Sequence, residues 1–510
     1  MISKVLSSAV MGVDGYIVVV EVDIASGLPQ FTTVGLPEAA VRESKERVRS
    51  AIKNCKYEFP QKRITVNLAP ADIKKHGSTF DLPISIGILS ASGLIKSDLL
   101  KQFLIIGELS LDGKVKRVKG VLSSAMCAKK NKLKGIIVPK KNAGEASVVE
   151  GIDVIGIDSM QDVVDFLSGN KEIEPTKADI GKIFKNSTAY DLEFDEVKGQ
   201  LHVKRAIEVA ASGGHNVLMI GSPGSGKTML ARRIPTILPN IGFKEALETS
   251  KIYSVTGLLP ENKSLIATRP FRTPHHTISD AGLIGGGAYP RPGEVSLAHN
   301  GVLFLDELTE FKKNVIEVLR QPLEDGNVTI SRAATTITYP SSFMLVAAMN
   351  PCPCGYFGDS LKQCVCSPLQ IRKYRSRVSG PLLDRIDIQV EVPSLDYKKL
   401  TDNKLEESSD KIRVRVNNAR SVQEERFKNS NIFSNSQMTP KMVKKHSFPN
   451  NEGLNLLIKA IKKIGLSARA YDKILKVSRT IADLEGSGDI TSRHISEAIQ
   501  YRSLDRFVIY

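Results

Sequence analysis

The sequence predicts an α/β fold built around a P-loop core, with an α+β domain before this core and a helical domain after it. Three observations support the prediction. An apolar run at 217–220 continues into a glycine-rich loop and then into a helical pattern. A second apolar run, 302–305, ends in two carboxylates. From Gly453 onwards, apolar residues recur at the three- and four-residue spacing of an amphipathic helix.

Residues 1–168 are predicted to form a self-contained α+β domain, because short β-branched runs alternate there with helical patterns. A hairpin closed by Asp112-Gly113 is expected over 104–113. The other strands are expected at 16–20, 64–68, 136–139 and 154–157, and the helices at 39–54, 84–91 and 122–130.

Residues 169–190 are polar, show little periodicity and are predicted to be a linker. The core is assigned to 191–395 and a helical lid to 396–510. Within the lid, residues 400–450 are polar and lysine-rich and indicate no particular fold. The helical patterns of the lid involve Leu454, Leu457, Ile458 and Ile461, then Ile474, Leu475, Ile481 and Leu484, then Ile495 and Ile499.

The glycine-rich loop has the G-x-x-x-x-G-K-T pattern of a P-loop. Backbone N–H groups in such a loop turn towards phosphate oxygens, and the following helix adds the positive end of its dipole. We expect ATP here, with Lys227 at the β- and γ-phosphates and Thr228 bound to Mg²⁺. The predicted nucleotide-binding residues are Gly221, Ser222, Pro223, Gly224, Ser225, Gly226, Lys227, Thr228 and Asp306.

Two further strand ends are expected to face the same ligand. Asp306 follows the apolar run 302–305 and is predicted to help hold Mg²⁺, and Glu307 is predicted to polarise the attacking water as a general base. A third apolar strand, 343–349, ends at Asn350, whose amide can orient the water or contact the γ-phosphate. The alternative for Asn350 is an ordinary polar residue at the end of a strand.

Four of the six cysteines lie close together in the pattern C-x-C, nine residues, C-x-C. Four thiolates can form a tetrahedral Zn²⁺ site, although C-x₂-C is the more usual spacing. A structural zinc site is therefore predicted, with free thiols as the alternative, at Cys352, Cys354, Cys364 and Cys366. Cys55 and Cys127 are isolated and are interpreted as core residues.

The composition suggests a polyanionic partner without identifying it. The net charge of +16 fits either nucleic acid binding or a solubilising surface. The absence of Trp and an aromatic content of 6% argue against an extensive base-stacking surface. There is no signal-peptide pattern and no apolar run long enough for a membrane span, so a cytoplasmic location without membrane contact is expected.

Several segments together resemble the ComM/YifB family of magnesium-chelatase-like AAA+ ATPases, with an N-terminal Lon-protease-like domain. The resemblance covers nearly the whole chain. It implies a ring, usually a hexamer, with ATP at subunit interfaces, and it implies DNA translocation and branch migration during recombination in natural transformation. The segments are 34–37, 66–72, 80–83 and 107–113 in the first domain, and 221–228, 272–277, 285–287, 290–294, 306–307 and 466–469 further on.

The resemblance also implies roles for two arginines. Arg385 matches an arginine finger that reaches the γ-phosphate bound by a neighbouring subunit. Its alternative role is a salt bridge to Asp384 or Asp387. Arg469 matches the second sensor of the lid, through which nucleotide state could be coupled to motion.

Three basic residues are predicted DNA contacts. Arg332 lies near the tip of an expected hairpin over 328–339 that projects into the ring pore in related proteins, with a solvated hairpin as the alternative. Arg272 lies in a loop rich in Gly, Pro, His and Arg, where His275 and His276 are expected to pack or face the pore rather than bind metal. Lys373 belongs to the densest basic run, which either binds phosphate or is a solvated helix face.

The N-terminal domain is not expected to be a peptidase. In the Lon proteases that it resembles, a Ser–Lys dyad cleaves the substrate, and the two matching positions hold Ile84 and Leu122. Ser85 and Lys119 are near but out of register. An ATP-dependent protease is accordingly the least favoured alternative to a DNA motor, after a chelatase-like motor that remodels a protein partner, and a DNA-binding scaffold is disfavoured by the intact carboxylate pair.

Overall fold

The computed structural model contains two compact units. The first comprises 1–188 together with 243–267, and the second comprises 189–242 together with 268–510. The described residues are 2–36, 39–71, 75, 77–186, 192–287, 289–332, 335–359, 361–394, 406–430, 432–464 and 467–502.

The first unit is an α+β domain built on a seven-stranded mixed sheet with the order β3-β4-β2-β1-β5-β8-β9. β1 and β4 pair antiparallel with β2, and the other neighbours are parallel. The strands of this unit are β1 Ile2–Met11, β2 Asp14–Ala25, β3 Gln30–Val34, β4 Arg63–Ala69, β5 Phe103–Ile105, β6 Glu108–Leu109, β7 Val115–Lys116, β8 Gly135–Pro139 and β9 Asp153–Ile157.

Helices pack against this sheet, and one hydrophobic core joins its strands to Ala39–Asn54, Asp81–Ala91 and Met160–Leu167. Asp81–Ala91 is buried at ten positions, so it is apolar on all sides rather than amphipathic. The helices of the unit are Ala39–Asn54, Asp81–Ala91, Val121–Lys130, Lys140–Ala146, Met160–Leu167, Ile180–Asn186 and Phe243–Thr256.

The prediction of a hairpin over 104–113 is wrong in its bounds. The structure pairs β6 with β7, so the turn at Gly113 joins Glu108–Leu109 to Val115–Lys116. β5 belongs instead to the large sheet, between β1 and β8. No turn signal separates the two strands in the sequence, and only their pairing partners distinguish them.

Two segments differ from the predicted domain organisation. The proposed linker 169–190 contains the helix Ile180–Asn186, and the Thr176 N–H donates to the Val154 carbonyl at 2.8 Å, so it is partly structured. The segment 243–267, which lies within the predicted core 191–395, belongs to the first unit. The Ser254 carbonyl accepts a hydrogen bond from the Gly120 N–H at 3.0 Å. The Ser254 hydroxyl accepts one from the Leu122 N–H at 3.4 Å.

The second unit contains the predicted P-loop core as a five-stranded parallel sheet with the order β11-β14-β17-β10-β18. β10, β14 and β17 are buried at every position, as is expected for parallel strands covered on both faces. The strands of this unit are β10 Val217–Gly221, β11 Phe271–Arg272, β12 Gly285–Gly286, β13 Arg291–Pro292, β14 Val302–Leu305, β15 Asn327–Arg332, β16 Thr335–Pro340, β17 Met344–Met349 and β18 Ile388–Val392.

Helices surround this sheet and continue into the C-terminal region. Around the core they are Leu201–Gly213, Lys227–Ile237, Asp280–Ile284, Glu294–Leu297, Lys313–Glu317, Arg320–Asp325, Pro368–Arg375 and Gly380–Leu383. In the C-terminal region they are Ser409–Arg426, Pro440–His446, Asn451–Ile464, Ala468–Leu484 and Ser492–Gln500.

The helix Ser409–Arg426 lies in the region for which the sequence indicated no fold. Its buried residues include Ile412, Val416 and Ala419, which recur every three or four positions between charged residues. It packs against Leu201–Gly213 and Lys227–Ile237, so it is part of the hydrophobic core of the second unit. The predicted α/β class, with an N-terminal α+β domain and C-terminal helices, is confirmed. None of the described helices is both long and apolar enough to cross a membrane.

Candidate active site

The P-loop joins the end of β10 to the start of the helix Lys227–Ile237. Gly226 caps this helix with φ of 92°, a backbone conformation that favours glycine. A Cβ at Gly221 would lie 2.3 Å from the carbonyl oxygen of Val392, so the loop also needs glycine where it passes β18. The helix N-terminus therefore faces the loop, as an anion-binding site requires.

Lys227 is folded back over its own loop. Its Nζ donates to the carbonyls of Gly221 at 2.8 Å and Ser222 at 2.9 Å, and it lies 3.3 Å from Oδ1 of Asn350. Burial lowers the pKa of Lys227, and this effect is opposed by Asp306 and Glu307. Lys227 is only 9% exposed, and its ammonium group is held between the P-loop and the end of β17.

Thr228 and Asp306 present oxygens to the same point. The Thr228 hydroxyl donates to Oδ2 of Asp306 at 2.6 Å, and Oδ1 of Asp306 accepts from the Glu307 N–H at 3.0 Å. Hydroxyl and carboxylate oxygens are the hard ligands that Mg²⁺ prefers. These two side chains therefore fit the predicted magnesium site.

Glu307 has φ of 51° and ψ of 49°, a left-handed conformation that is uncommon for a residue with a side chain. Its carboxylate is 61% exposed and lies 3.8 Å from Nδ1 of His276. The His276 ring in turn lies 4.1 Å from that of His275. This neighbour is not predicted from the sequence, because thirty residues separate the two side chains and no short motif relates them.

Arg385 and Arg469 lie at the opposite edge of the sheet from the P-loop, where the parallel strands begin. The Asn216 side chain donates to the Arg385 carbonyl at 2.8 Å, and Asn216 precedes β10, whereas the P-loop follows it. Five residues of strand separate the two edges by about 16 Å. Nη1 of Arg469 lies 3.4 Å from Oδ2 of Asp384. Arg469 is therefore near Arg385 and not near the P-loop of its own chain.

Arg385 makes neither of the salt bridges considered from the sequence. Its guanidinium contacts Glu324 and the Pro381 carbonyl, and its side chain is 10% exposed. Asp387 is paired instead with Lys473 at 3.2 Å. An arginine finger at this position would have to leave Glu324 before reaching a phosphate.

The four cysteines of the predicted zinc site converge. All four Sγ atoms lie within 4.8 Å of one another, with separations of 3.4 Å for Cys352–Cys354, 3.7 Å for Cys352–Cys364 and 3.6 Å for Cys354–Cys364. Tetrahedral Zn–S bonds of about 2.3 Å place sulfurs about 3.8 Å apart. The N–H groups of Tyr356 and Val365 lower the pKa of Cys354 to about 6. The set fits a metal, and its members are Cys352, Cys354, Cys364 and Cys366.

The three predicted DNA contacts differ in their surroundings. Arg332 is exposed at the end of β15, beside residues 333–334, which lie outside the described part of the chain. Lys373 is exposed on the helix Pro368–Arg375. Arg272 forms a bidentate ion pair with Glu294, at 2.6 and 2.7 Å, so its guanidinium group is already engaged within the fold.

The positions that match the Lon dyad are buried in the first unit. Ile84 and Leu122 are fully covered. The Ser85 hydroxyl, which is also buried, donates to the Asp81 carbonyl at 2.9 Å within its own helix. These surroundings give no support to a nucleophile at this place.

Comparisons with known proteins give matches along the chain. The family described as "Subunit ChlI of Mg-chelatase" matches residues 20–142, "Magnesium chelatase, subunit ChlI" matches 193–400, and "Magnesium chelatase, subunit ChlI C-terminal" matches 406–502. The Magnesium-chelatase 38 kDa subunit of Rhodobacter capsulatus is 25% identical over 177 residues, which are 31% of this chain and 50% of that protein.

Two relatives align over nearly their whole length. The Competence protein ComM of Haemophilus influenzae is 45% identical over 509 residues, covering 99% of this chain and 98% of that protein. The Uncharacterized protein YifB of Escherichia coli is 43% identical over 513 residues, covering 100% and 98%. The chain therefore belongs to the ComM/YifB family of magnesium-chelatase-like AAA+ proteins.

Proposed function

We propose that this protein assembles into a ring, most simply a hexamer, that couples ATP hydrolysis to movement along DNA. The observation that carries the proposal is the division of the catalytic set. Lys227, Thr228, Asp306 and Asn350 lie together at one edge of the sheet, and Arg385 lies at the other. A second copy of the chain is needed to bring an Arg385 to the P-loop, as ring-forming ATPases do.

Each residue of the proposed ATPase site has a role that its position supports. Lys227 would bind the phosphates, and Asn350, 3.3 Å from it, would orient the water. Glu307 would take a proton from that water. Bound Mg²⁺, held by Thr228 and Asp306, would supply charge neutralisation at the phosphates.

DNA is the proposed track. The Competence protein ComM, at 45% identity, supports a role in competence. We propose that this role is branch migration during the recombination of DNA taken up in natural transformation. The net charge of +16 supports a polyanionic partner. Two exposed pairs of hydroxyls, Thr329–Thr338 and Ser331–Thr336, lie across the β15–β16 hairpin on the way to Arg332 at its end. These hydroxyls can donate hydrogen bonds to phosphate oxygens.

The deciding experiment is the ATPase rate of wild type and Glu307→Gln with single-stranded, duplex or four-way-junction DNA. We expect DNA to stimulate wild type, and we expect the variant to bind ATP while turning over about 10²–10⁴-fold more slowly, because the amide cannot accept the proton. An ATPase indifferent to every DNA would favour a chelatase-like motor acting on a protein. Cleavage of casein would favour a protease.

The four-cysteine site is assigned to structural Zn²⁺. Four thiolates leave no coordination position open for a substrate or a reacting water. The fit of the sulfur separations to Zn–S geometry supports this assignment.

A further inference from the structure

The loop that holds the cysteines touches the P-loop. Gly355 has φ of 86°, and a Cβ at this position would lie 2.5 Å from Cδ and 2.7 Å from Cγ of Pro223. Only a glycine therefore allows the backbone of this loop to come so close to the Pro223 ring. The same loop begins directly after Asn350, so one end of it adjoins the proposed water-orienting amide.

A second contact runs through a carboxylate. Oδ2 of Asp359 accepts from the Ser394 hydroxyl at 2.5 Å, and the Ser394 hydroxyl lies 2.7 Å from that of Ser222 in the P-loop. These hydroxyls hold the pKa of Asp359 well below its usual range. The Ser222 carbonyl is also an acceptor for Lys227. Asp359 is thus connected through two hydrogen bonds to the residue that positions the P-loop lysine.

The described part of this loop has no regular secondary structure of its own. Its described residues, 351–359 and 361–367, contain no helix or strand. The Gly355 N–H donates to the Cys352 carbonyl at 3.0 Å, and Nε of Arg375 donates to the Pro351 carbonyl at 3.0 Å. A metal bound by cysteines on both sides of 355–363 would close that segment into a cross-linked ring.

We propose that Gly355 and Asp359 are positioning residues for the P-loop, and that Zn²⁺ on the four cysteines holds them against it. The metal site then sets nucleotide affinity from outside the nucleotide pocket. The proposal rests on the proposed function only in taking the P-loop to bind nucleotide.

The test measures the affinity of the full-length protein for a fluorescent ADP analogue in the presence of Mg²⁺, together with its zinc content by elemental analysis. Gly355→Ala and Asp359→Ala are expected to keep zinc but bind the analogue about three- to tenfold more weakly, the size of one or two net hydrogen bonds. Asp359→Asn, which keeps one acceptor oxygen, should lose less. Cys364→Ser/Cys366→Ser should lose both zinc and affinity.

Val365→Ser is the matched control, because this side chain lies between two of the cysteines and is 84% exposed. It should keep wild-type zinc content and affinity. Unchanged affinity in Gly355→Ala and Asp359→Ala, or in a zinc-free cysteine variant, would overturn the proposal. Failure of wild type to bind the analogue would overturn the ATPase assignment as well, so the two failures are distinguishable.

Discussion

Lys227 and Asp81 both carry charge at buried positions, and each relies on a different kind of partner. Lys227 is neutralised only weakly by Asp306 and Glu307 and is held by carbonyl oxygens, which leaves its charge available for an anion. Asp81, in the first unit, is fully buried and receives two hydrogen bonds from Arg47, at 2.7 and 3.0 Å. The first arrangement is suited to binding a ligand, and the second only stabilises the fold.

Arg47→Ala is expected to destabilise the first unit by about 3–5 kcal/mol at pH 8, because it leaves the Asp81 carboxylate buried without its counter-charge. Hydrogen exchange of the amides in the helix Asp81–Ala91 would measure this loss within the full chain. The double variant Arg47→Ala/Asp81→Asn is the control, and it should recover part of the loss because no buried charge remains.

The same variant has a predictable pH dependence. Burial raises the pKa of Asp81 from 3.8 to about 6, although Arg47 opposes the shift. A carboxyl group whose pKa is higher in the folded state binds a proton on folding, so its contribution is greatest below about pH 4 and is lost as the pH rises through about 6. Removing Arg47 raises this pKa further. The defect should therefore be smaller at pH 5 than at pH 8, and an equal defect at both values would contradict the assignment.

At the scale of elements, the helix Ala468–Leu484 is joined to the segment that carries Arg385. Nζ of Lys473 lies 3.2 Å from Oδ1 of Asp387 and donates to the Ile386 carbonyl at 2.9 Å. Nδ1 of His215 lies 3.4 Å from Oδ2 of Asp387, while its Nε2 lies 2.8 Å from the Thr480 hydroxyl. Burial opposes ionisation, yet Lys473 and His215 hold the pKa of Asp387 well below its usual range. Buried ion pairs thus join the C-terminal helices to the segment that carries Arg385.

Lys473→Met is expected to reduce stability by about 3–5 kcal/mol, because Asp387 stays buried after its ammonium partner is removed. Thermal unfolding of the full chain would show the loss. Lys459→Met, at an exposed position of the preceding helix, should change stability little. If both variants unfold at the wild-type temperature, the Lys473–Asp387 ion pair does not stabilise the attachment of the helix Ala468–Leu484 to the sheet.

At the scale of the whole molecule, the second unit has two different edges. The carboxyl ends of the parallel strands hold the P-loop and Asp306, which is where ligands bind in sheets of this kind. The opposite edge holds Arg385 and Arg469. A single chain cannot bring the two edges together without dismantling its sheet, so we expect each active site to be shared by two copies.

Mixing Lys227→Ala with Arg385→Ala should restore ATPase activity that neither variant has alone. In a mixed ring, the intact P-loop of one variant would meet the intact arginine of the other. Lys227→Ala mixed with Glu307→Gln is the control, because both lesions lie on the same edge and no mixed subunit is complete there. Activity that stays at the level of the separate variants would rule out a shared site.

The sequence by itself determined the elements that build the candidate site and their local chemistry. The P-loop, the carboxylate pair after β14 and the spacing of the cysteines are properties of short stretches, because backbone hydrogen bonding and burial repeat over a few residues. The parallel α/β core and the helical C-terminal region followed from the same patterns. The helix Ser409–Arg426 was missed because its buried residues are few and are separated by charged ones.

Only the tertiary structure decided which distant residues meet. The ion pair of Arg272 with Glu294, the approach of His276 to Glu307 and the contact of Gly355 with Pro223 each join residues whose separation in sequence shows no pattern. The placement of 243–267 in the first unit has the same origin. Which elements become neighbours depends on how their shapes and charges fit together in the packed structure. A sequence motif predicts an element but does not show which other elements it will contact.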